Sequence, residues 1–392
     1  MASVIPIVDL EQFNICKEPE DVSEDVQRQL AAQIIDAFSI VGFVGLKNYG
    51  IPQDKLTALM TEAKAFFYLP ETTKSKYPYR FENQYDRGGW GHLEQESLDS
   101  STRPGDLKET FDIVSDGKVW PDDEVPGFRP AANEFSRLCL TLSQRVLLLI
   151  GIGLGLEDPS YLKNQHSKDD ITHAGTLRCL YYPPIRQDTA IKPNQTRCGE
   201  HSDFDSLTLL FQDDAGGLEL RTRDGEYVPA TPMDGVVLLN VGDMMQRWTS
   251  DKLVSTIHRV VVPETKLSEE RMSFAFFARP NFDCVIKCLD GSDKYEPITP
   301  FDQFSKLRRS FIMAFLRYGK RMEMVLPLKC EDNIPEWTGM TLDAAMRKAN
   351  RREEWRELVA RSSVAPERNG QLDYGMVEGG AAICRIISKL NR

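Results

Sequence analysis

HSDFDSLTLLFQD, residues 201–213, is the stretch on which the fold turns. A polar segment carrying His201 and Asp203 runs straight into the apolar run Leu207–Phe211. Asp-Asp-Ala-Gly-Gly then closes it. A short apolar run ended by a glycine turn reads as a β-strand. The same texture recurs on both sides of it, in TLRCLYY, GLELRTR, EYVPATP, GVVLLNVGD, STIHRVVVP, RMSFAFFARP and DCVIKCL. Many short strands at regular spacing with turn signals between them predict a jelly roll or barrel from about residue 174 onward.

Upstream the period changes. VIPIVD (4–9) reads as a short strand, and residues 21–40 as an amphipathic helix with Val26, Leu30, Ile34, Ala37 and Phe38 on one stripe. IVGFVGLKNYGI (40–51) reads as a strand pair, and 53–68 as a second helix. The polar, glycine-rich stretch from Pro70 to about 106, holding Tyr85, Arg87 and Trp90, reads as loop. Residues 130–155 form a long buried helix with Pro130 in its first turn. Helical character returns over 302–323 and 341–361, the latter with Leu342, Ala345, Met346, Ala349 and Trp355 along it. The expected fold class is α+β: a double-stranded β-helix (jelly-roll) core over 174–300, an α-rich N-terminal region over 1–173 packed on it, and C-terminal helices and an extension over 301–392.

Composition narrows the function. The 392 residues carry a net charge of −11 with no basic stripe, a poor match to nucleic acid or an anionic membrane. The start, MASVIPIVDL, lacks the charged and apolar regions of a signal peptide, and Val146–Leu156, the longest apolar run, is too short to span a bilayer. The eight cysteines make no CxxC pair and read as reduced thiols of a cytoplasmic protein. A small-molecule substrate is expected, and the C-terminal extension could pair two chains.

Of five histidines, two stand in a metal-binding pattern. On an extended segment His201 and Asp203 share a face, and His258 from a distant strand completes three ligands. Two imidazoles and a carboxylate on one side of a metal, with the other side open, suit non-heme Fe(II) and O2 chemistry. Arg271 and Ser273 supply the fork and hydroxyl that a bidentate carboxylate anchor needs. An Arg inside the apolar strand MSFAFF requires a buried anion. Cys198 could be a soft ligand, but such sites favour imidazole and carboxylate, so it reads as a small residue nearby. His92, His166 and His173 read as core residues, and Asp205 as a support of the ligand loop. Phe211 and Phe277 could be core or could face a substrate.

The motifs IPIVDL, IVGFVGLKNYGI, GDLKETFDI (105–113), LYYPP (180–184), HSDFDSLTLLFQD, GGLEL, LLNVGDMMQRWTSDKLVSTIHRV (238–260) and RMSFAFF follow one another in family order. Over roughly residues 4–311 the chain resembles the isopenicillin-N-synthase-like branch of the 2-oxoglutarate/Fe(II)-dependent dioxygenases. The resemblance implies Fe(II) on His201, Asp203 and His258. It implies 2-oxoglutarate chelated to the metal, with its far carboxylate on Arg271 and Ser273 and with Tyr182 as a third donor. It also implies oxidation of a small organic molecule by hydroxylation, desaturation or ring formation in natural-product metabolism, with release of succinate and CO2. Leu180 stands where plant members carry Asn, so one polar contact near the co-substrate is missing. Two rivals are an oxidase of the same fold that uses no 2-oxoglutarate, and a jelly-roll binding protein whose metal is structural or absent.

Overall fold

The computed structural model describes residues 5–81, 87–96, 104–114, 120–166, 175–185, 191–262, 266–300 and 302. Expectations for 302–323, for 341–361, for the extension and for His173 and Tyr85 lie outside them. Two sheets carry the described fold. The large one runs β1 (Ile7–Asp9), β2 (Phe43–Lys47), β11 (Val236–Val241), β8 (Leu207–Gln212), β13 (Arg271–Ala278), β6 (Gly175–Tyr182), β5 (Glu109–Ile113), β4 (Arg87–Gly91) and β3 (Arg80–Phe81). The small one runs β10 (Tyr227–Pro229), β9 (Leu218–Arg221), β12 (His258–Val260) and β7 (Cys198–His201). Apart from the parallel pair β1–β2, the named strand pairs are antiparallel.

Strand alternation splits the core in two. One side of the large sheet (Leu177, Cys179, Leu209, Phe211, Leu239, Phe274, Phe276) joins one cluster with three helices. These are α1 (Glu24–Ile40), α2 (Gln53–Phe67) and α4 (Phe128–Leu154), the last packed against β6, β8 and β13. The other side (Leu180, Tyr182, Leu238, Ala275) faces the small sheet's Cys198, Leu218, Leu220 and Val260 in a second cluster. A sheet folded over on itself with helices on its outer face is the double-stranded β-helix that the strand-rich half predicts.

The helices begin and end where their sequences direct. The Ser23 hydroxyl accepts the Val26 N–H at the start of α1, with Glu24 and Asp25 in its first turn. α4 stops at Gly155, which takes φ +70°, and a single-turn helix, α5 (Tyr161–Asn164), packs back on it. Among the described residues α4 is the one helix long and apolar enough to cross a membrane, and here it lies in the core.

Three expectations are corrected, and one strand was not foreseen. Residues 40–51 hold one strand, β2, because its neighbours are β1 and β11 rather than a hairpin partner. The stretch after Pro70 holds a short helix, α3 (Glu71–Lys74), and strands β3 and β4. There Trp90 is buried against Glu109, whose carboxylate accepts its indole N–H at 2.7 Å, and that burial overrides a loop-like composition. DCVIKCL makes only an isolated bridge, Ile286 to Ile298. β5 escapes strand recognition because Lys108, Thr110 and Asp112 are buried as polar groups in and beside it.

Candidate metal centre

β12 pairs with β7 so that His258 lies directly opposite His201, and a bulge follows between that pair and Val260–Cys198. Asp203 follows β7 in the turn that leads to β8. The three side chains converge: His201 Nε2 is 3.6 Å and His258 Nε2 3.8 Å from Asp203 Oδ1. Among the described residues this is the one cluster of metal-ligating groups, with its donor atoms all within 4.8 Å of one another.

Each ligand is oriented by a second contact. His201 Nδ1 lies 2.8 Å from the Gly199 carbonyl and His258 Nδ1 3.1 Å from the Thr256 carbonyl. A carbonyl only accepts, so Nδ1 carries the proton and Nε2 offers its lone pair to the centre. Asp203 Oδ2 accepts from Thr208 Oγ1 at 2.6 Å and Asn240 Nδ2 at 2.7 Å, which leaves Oδ1 free. Burial, reinforced by His258, lowers the His201 pKa to about 4 and keeps it neutral. Burial pushes Asp203 up, but His258, His201, Thr208 and Asn240 together outweigh it, so the carboxyl titrates below its usual range. Neutral imidazoles with an ionised carboxylate are the protonation states that a borderline divalent metal requires. The donor set therefore fits Fe(II).

Two further groups tie the site together. Asp243, at the start of α6 (Asp243–Trp248), accepts Ser255 Oγ at 2.7 Å on Oδ1 and Ser202 Oγ at 3.2 Å on Oδ2. It thus clasps the segment holding His201 and Asp203 to the one leading into His258. Gly242 lets this happen, since a Cβ there would sit 1.9 Å from the Asp205 carbonyl oxygen. Beneath His201, Lys108 Nζ donates to Asp106 Oδ2 at 2.6 Å, and Asp106 Oδ1 accepts the Gly199 N–H at 3.0 Å. Sequence reading missed Thr208, Asn240, Asp243 and Asp106. Polar residues inside apolar strands, such as Asn240 in LLNV, were the available signal.

Arg271 is 1% exposed and directly opposite Tyr182 in the β13–β6 pairing. It donates to the Gly216 carbonyl (3.0 Å), Ser273 Oγ (2.9 Å) and Gln212 Oε1 (3.1 Å), and its Cζ lies 4.8 Å from the Tyr182 ring centroid. None of these partners is charged, and among the described residues no carboxylate reaches ion-pair distance of it. A buried guanidinium with only neutral partners carries an uncompensated charge. Tyr182 is itself buried, which raises its pKa, and it shares a hydrogen bond with Ser273.

Other expected residues separate cleanly. Cys198 is outside the cluster and accepts from Lys108 Nζ at 3.4 Å. Asp205 pairs with Arg279 at 2.8 Å, which braces the ligand loop. Phe211 is core, edge-on to Tyr49 and Phe135, whereas Phe277 is half-buried on the inner face with Arg178 Cζ 5.9 Å from its ring centroid. His166 is buried core as expected, but His92 is exposed, its Nδ1 on the neighbouring Leu93 carbonyl. Leu180 packs in the inner cluster.

Known proteins resemble the chain in sequence and in fold. Residues 174–280 match the model of the 2OG-Fe(II) oxygenase superfamily. Residues 5–131 match that of the non-haem dioxygenase in morphine synthesis N-terminal region. A 2-oxoglutarate-Fe(II) type oxidoreductase, ppzD of Metarhizium rileyi, is 31% identical over 75% of this chain and 88% of its own length. Proline hydroxylase buaE of Petromyces alliaceus is 32% identical over 68% of this chain and 86% of its own. Among solved structures, a full-length Neurospora crassa protein in complex with alpha-KG superposes with a TM-score of 0.68 at 29% identity, covering 78% of this chain and 96% of that one.

Proposed function

The chain belongs to the 2-oxoglutarate/Fe(II) oxygenase superfamily and is a 2-oxoglutarate-dependent non-heme Fe(II) dioxygenase; from that premise we propose that His201, Asp203 and His258 hold the iron, and that Arg271, Ser273 and Tyr182 hold the distal carboxylate of 2-oxoglutarate. The observation that carries the co-substrate assignment is the buried Arg271, whose partners are all neutral. When bound, iron with 2-oxoglutarate and O2 supplies the oxidising power, with loss of CO2 and formation of succinate. The chain's own residues orient and exclude. Gly199 and Thr256 hold the imidazoles by their carbonyls, Thr208 and Asn240 hold the carboxylate, and the inner cluster keeps water from the pocket.

The substrate is a small organic molecule of natural-product metabolism, hydroxylated, desaturated or cyclised. A matched family described by morphine synthesis and a relative named proline hydroxylase support this class. Phe277, half-buried on the inner face, is the aromatic wall offered to it. The enzyme acts in the cytoplasm, without nucleic-acid or membrane partners, and pairs through its C-terminal extension; truncation near residue 323 tests that pairing by elution volume.

Arg271→Lys tests the co-substrate assignment. It keeps the charge and loses the fork, so affinity for 2-oxoglutarate should fall about ten- to a hundredfold, equivalent to roughly 1.5–3 kcal/mol. Ser273→Ala should show the same pattern more weakly. Iron-dependent turnover of wild type without 2-oxoglutarate would mean that Arg271 holds the substrate, and the assignment would fail.

A further inference from the structure

A second buried guanidinium stands beside the first. Arg197, just ahead of β7, is 0% exposed, and its Nε and Nη1 have no hydrogen-bond partner. Its Nη2 donates to the Glu269 backbone carbonyl at 2.6 Å. Most of its five N–H donors are therefore unused in a place without water, a strongly unfavourable state for a cation. Arg271, by comparison, has a partner on each of its three nitrogens.

Both guanidiniums lie near one aromatic ring. Arg197 Cζ lies 5.9 Å and Arg271 Cζ 4.8 Å from the Tyr182 ring centroid. Burial first, and then repulsion from Arg271, press Arg197 toward losing its proton. Tyr182, then Asp213 and Glu269, oppose this, yet neither carboxylate is within ion-pair distance among the described residues. Asp213 spends its oxygens on the Met272 and Ala215 N–H groups. Two buried cations beside one ring, with no carboxylate at ion-pair distance of either among the described residues, call for an anionic visitor.

We propose that Arg197 is a second cationic anchor for the distal carboxylate of 2-oxoglutarate, acting with Arg271, Ser273 and Tyr182. The proposal rests on the co-substrate reading of Arg271. In it, Arg271 is already fixed by neutral partners and sets direction, whereas Arg197 brings free donors and gains them a partner only when the co-substrate arrives. It therefore discriminates 2-oxo acids that carry a second carboxylate from those that do not.

The test is titration calorimetry on the full chain under argon, with Mn(II) in place of Fe(II) and no organic substrate. Wild type, Arg197→Met and Arg197→Lys are titrated with 2-oxoglutarate and with 2-oxopentanoate, which lacks the distal carboxylate. Arg197→Met should weaken 2-oxoglutarate at least about tenfold, and Arg197→Lys by a smaller factor, with 2-oxopentanoate unchanged in both. Without co-substrate, Arg197→Met should unfold at no lower denaturant concentration than wild type, because it removes an uncompensated charge. Unchanged 2-oxoglutarate affinity in the variants overturns the proposal. So does an equal loss for both 2-oxo acids, or failure of Arg197→Met to fold while Arg197→Lys binds like wild type, since each marks a structural arginine. If wild type binds no 2-oxoglutarate, the reading of Arg271 falls and this inference with it; if wild type binds and only the Arg197 variants are silent toward both 2-oxo acids, this inference falls alone.

Discussion

Along β13, Met272, Phe274 and Phe276 pack into the helix-covered core, while Arg271, Ser273, Ala275 and Phe277 turn toward the small sheet. The same division runs through β8, where Leu209 and Phe211 face the helices and Thr208 and Gln212 serve the site. One strand thus answers two demands at a period of two. The helix side asks for volume, and many sequences satisfy it. The inner side asks for particular atoms at particular places, and few do. Stability and chemistry are therefore separable by which face is altered.

The largest effects should fall on the inner face. His201→Ala, Asp203→Ala and His258→Ala should each abolish turnover, since each removes a metal donor, with little change in the unfolding midpoint of the metal-free protein. Near-normal activity in any one of them would break the division. Phe274→Ala should do the reverse. It empties a fully buried site on the helix side and should cost roughly 3–5 kcal/mol by denaturant unfolding. The molecules still folded should bind 2-oxoglutarate as wild type does; a shifted affinity would mean that the two faces are coupled.

Asp243→Asn sharpens the boundary, because Asp243 stands outside the cluster of His201, Asp203 and His258 and acts through the two segments it clasps. Metal affinity should fall roughly ten- to a hundredfold by competitive chelation. Loss of stability with metal affinity intact would return Asp243 to the structural side.

The smallest effect concerns the titratable exception beside the helix-side core. His166 is fully buried next to Trp248, and burial lowers its pKa from 6.5 to about 4. As pH falls, the unfolded chain takes up the proton first, so stability drops between about pH 6.5 and 4 and levels off below. Between pH 7 and 5 this amounts to about 2 kcal/mol. His166→Gln should flatten that part of the stability–pH curve, and an identical slope in the variant would rule His166 out as its source.

Much of this was legible in the chain. The strands flanking the site announce themselves because one of their faces is apolar and their ends carry glycine or acidic turns. His201, Asp203, His258 and Arg271 stand out because charged or metal-binding groups in such strands need a reason. β5 was hidden because polar residues in and beside it are paired inside: Asp112 with Arg178, Lys108 with Asp106 and Glu96. A sequence shows each charge but not its partner. Asp243 was hidden for the same reason, since its two serines come from separate segments and meet only in the fold. Arg197 read as an unremarked neighbour of Cys198, because burial without a partner is visible only in three dimensions.

The capture of Asp203 Oδ2 by Thr208 and Asn240 bears on which metal the protein acquires. A carboxylate so held cannot swing to offer both oxygens, so with His201, Asp203 and His258 as the proposed ligands the protein would contribute two imidazoles and a single oxygen to whichever ion arrives. For such a set, affinity among divalent ions rises from manganese through iron to copper and then falls back at zinc. The pocket fixes shape but does not prefer iron by strength of binding. Copper, nickel and zinc are therefore stronger competitors than the working metal, and the activity of a given preparation should record the metal supply under which the chain folded.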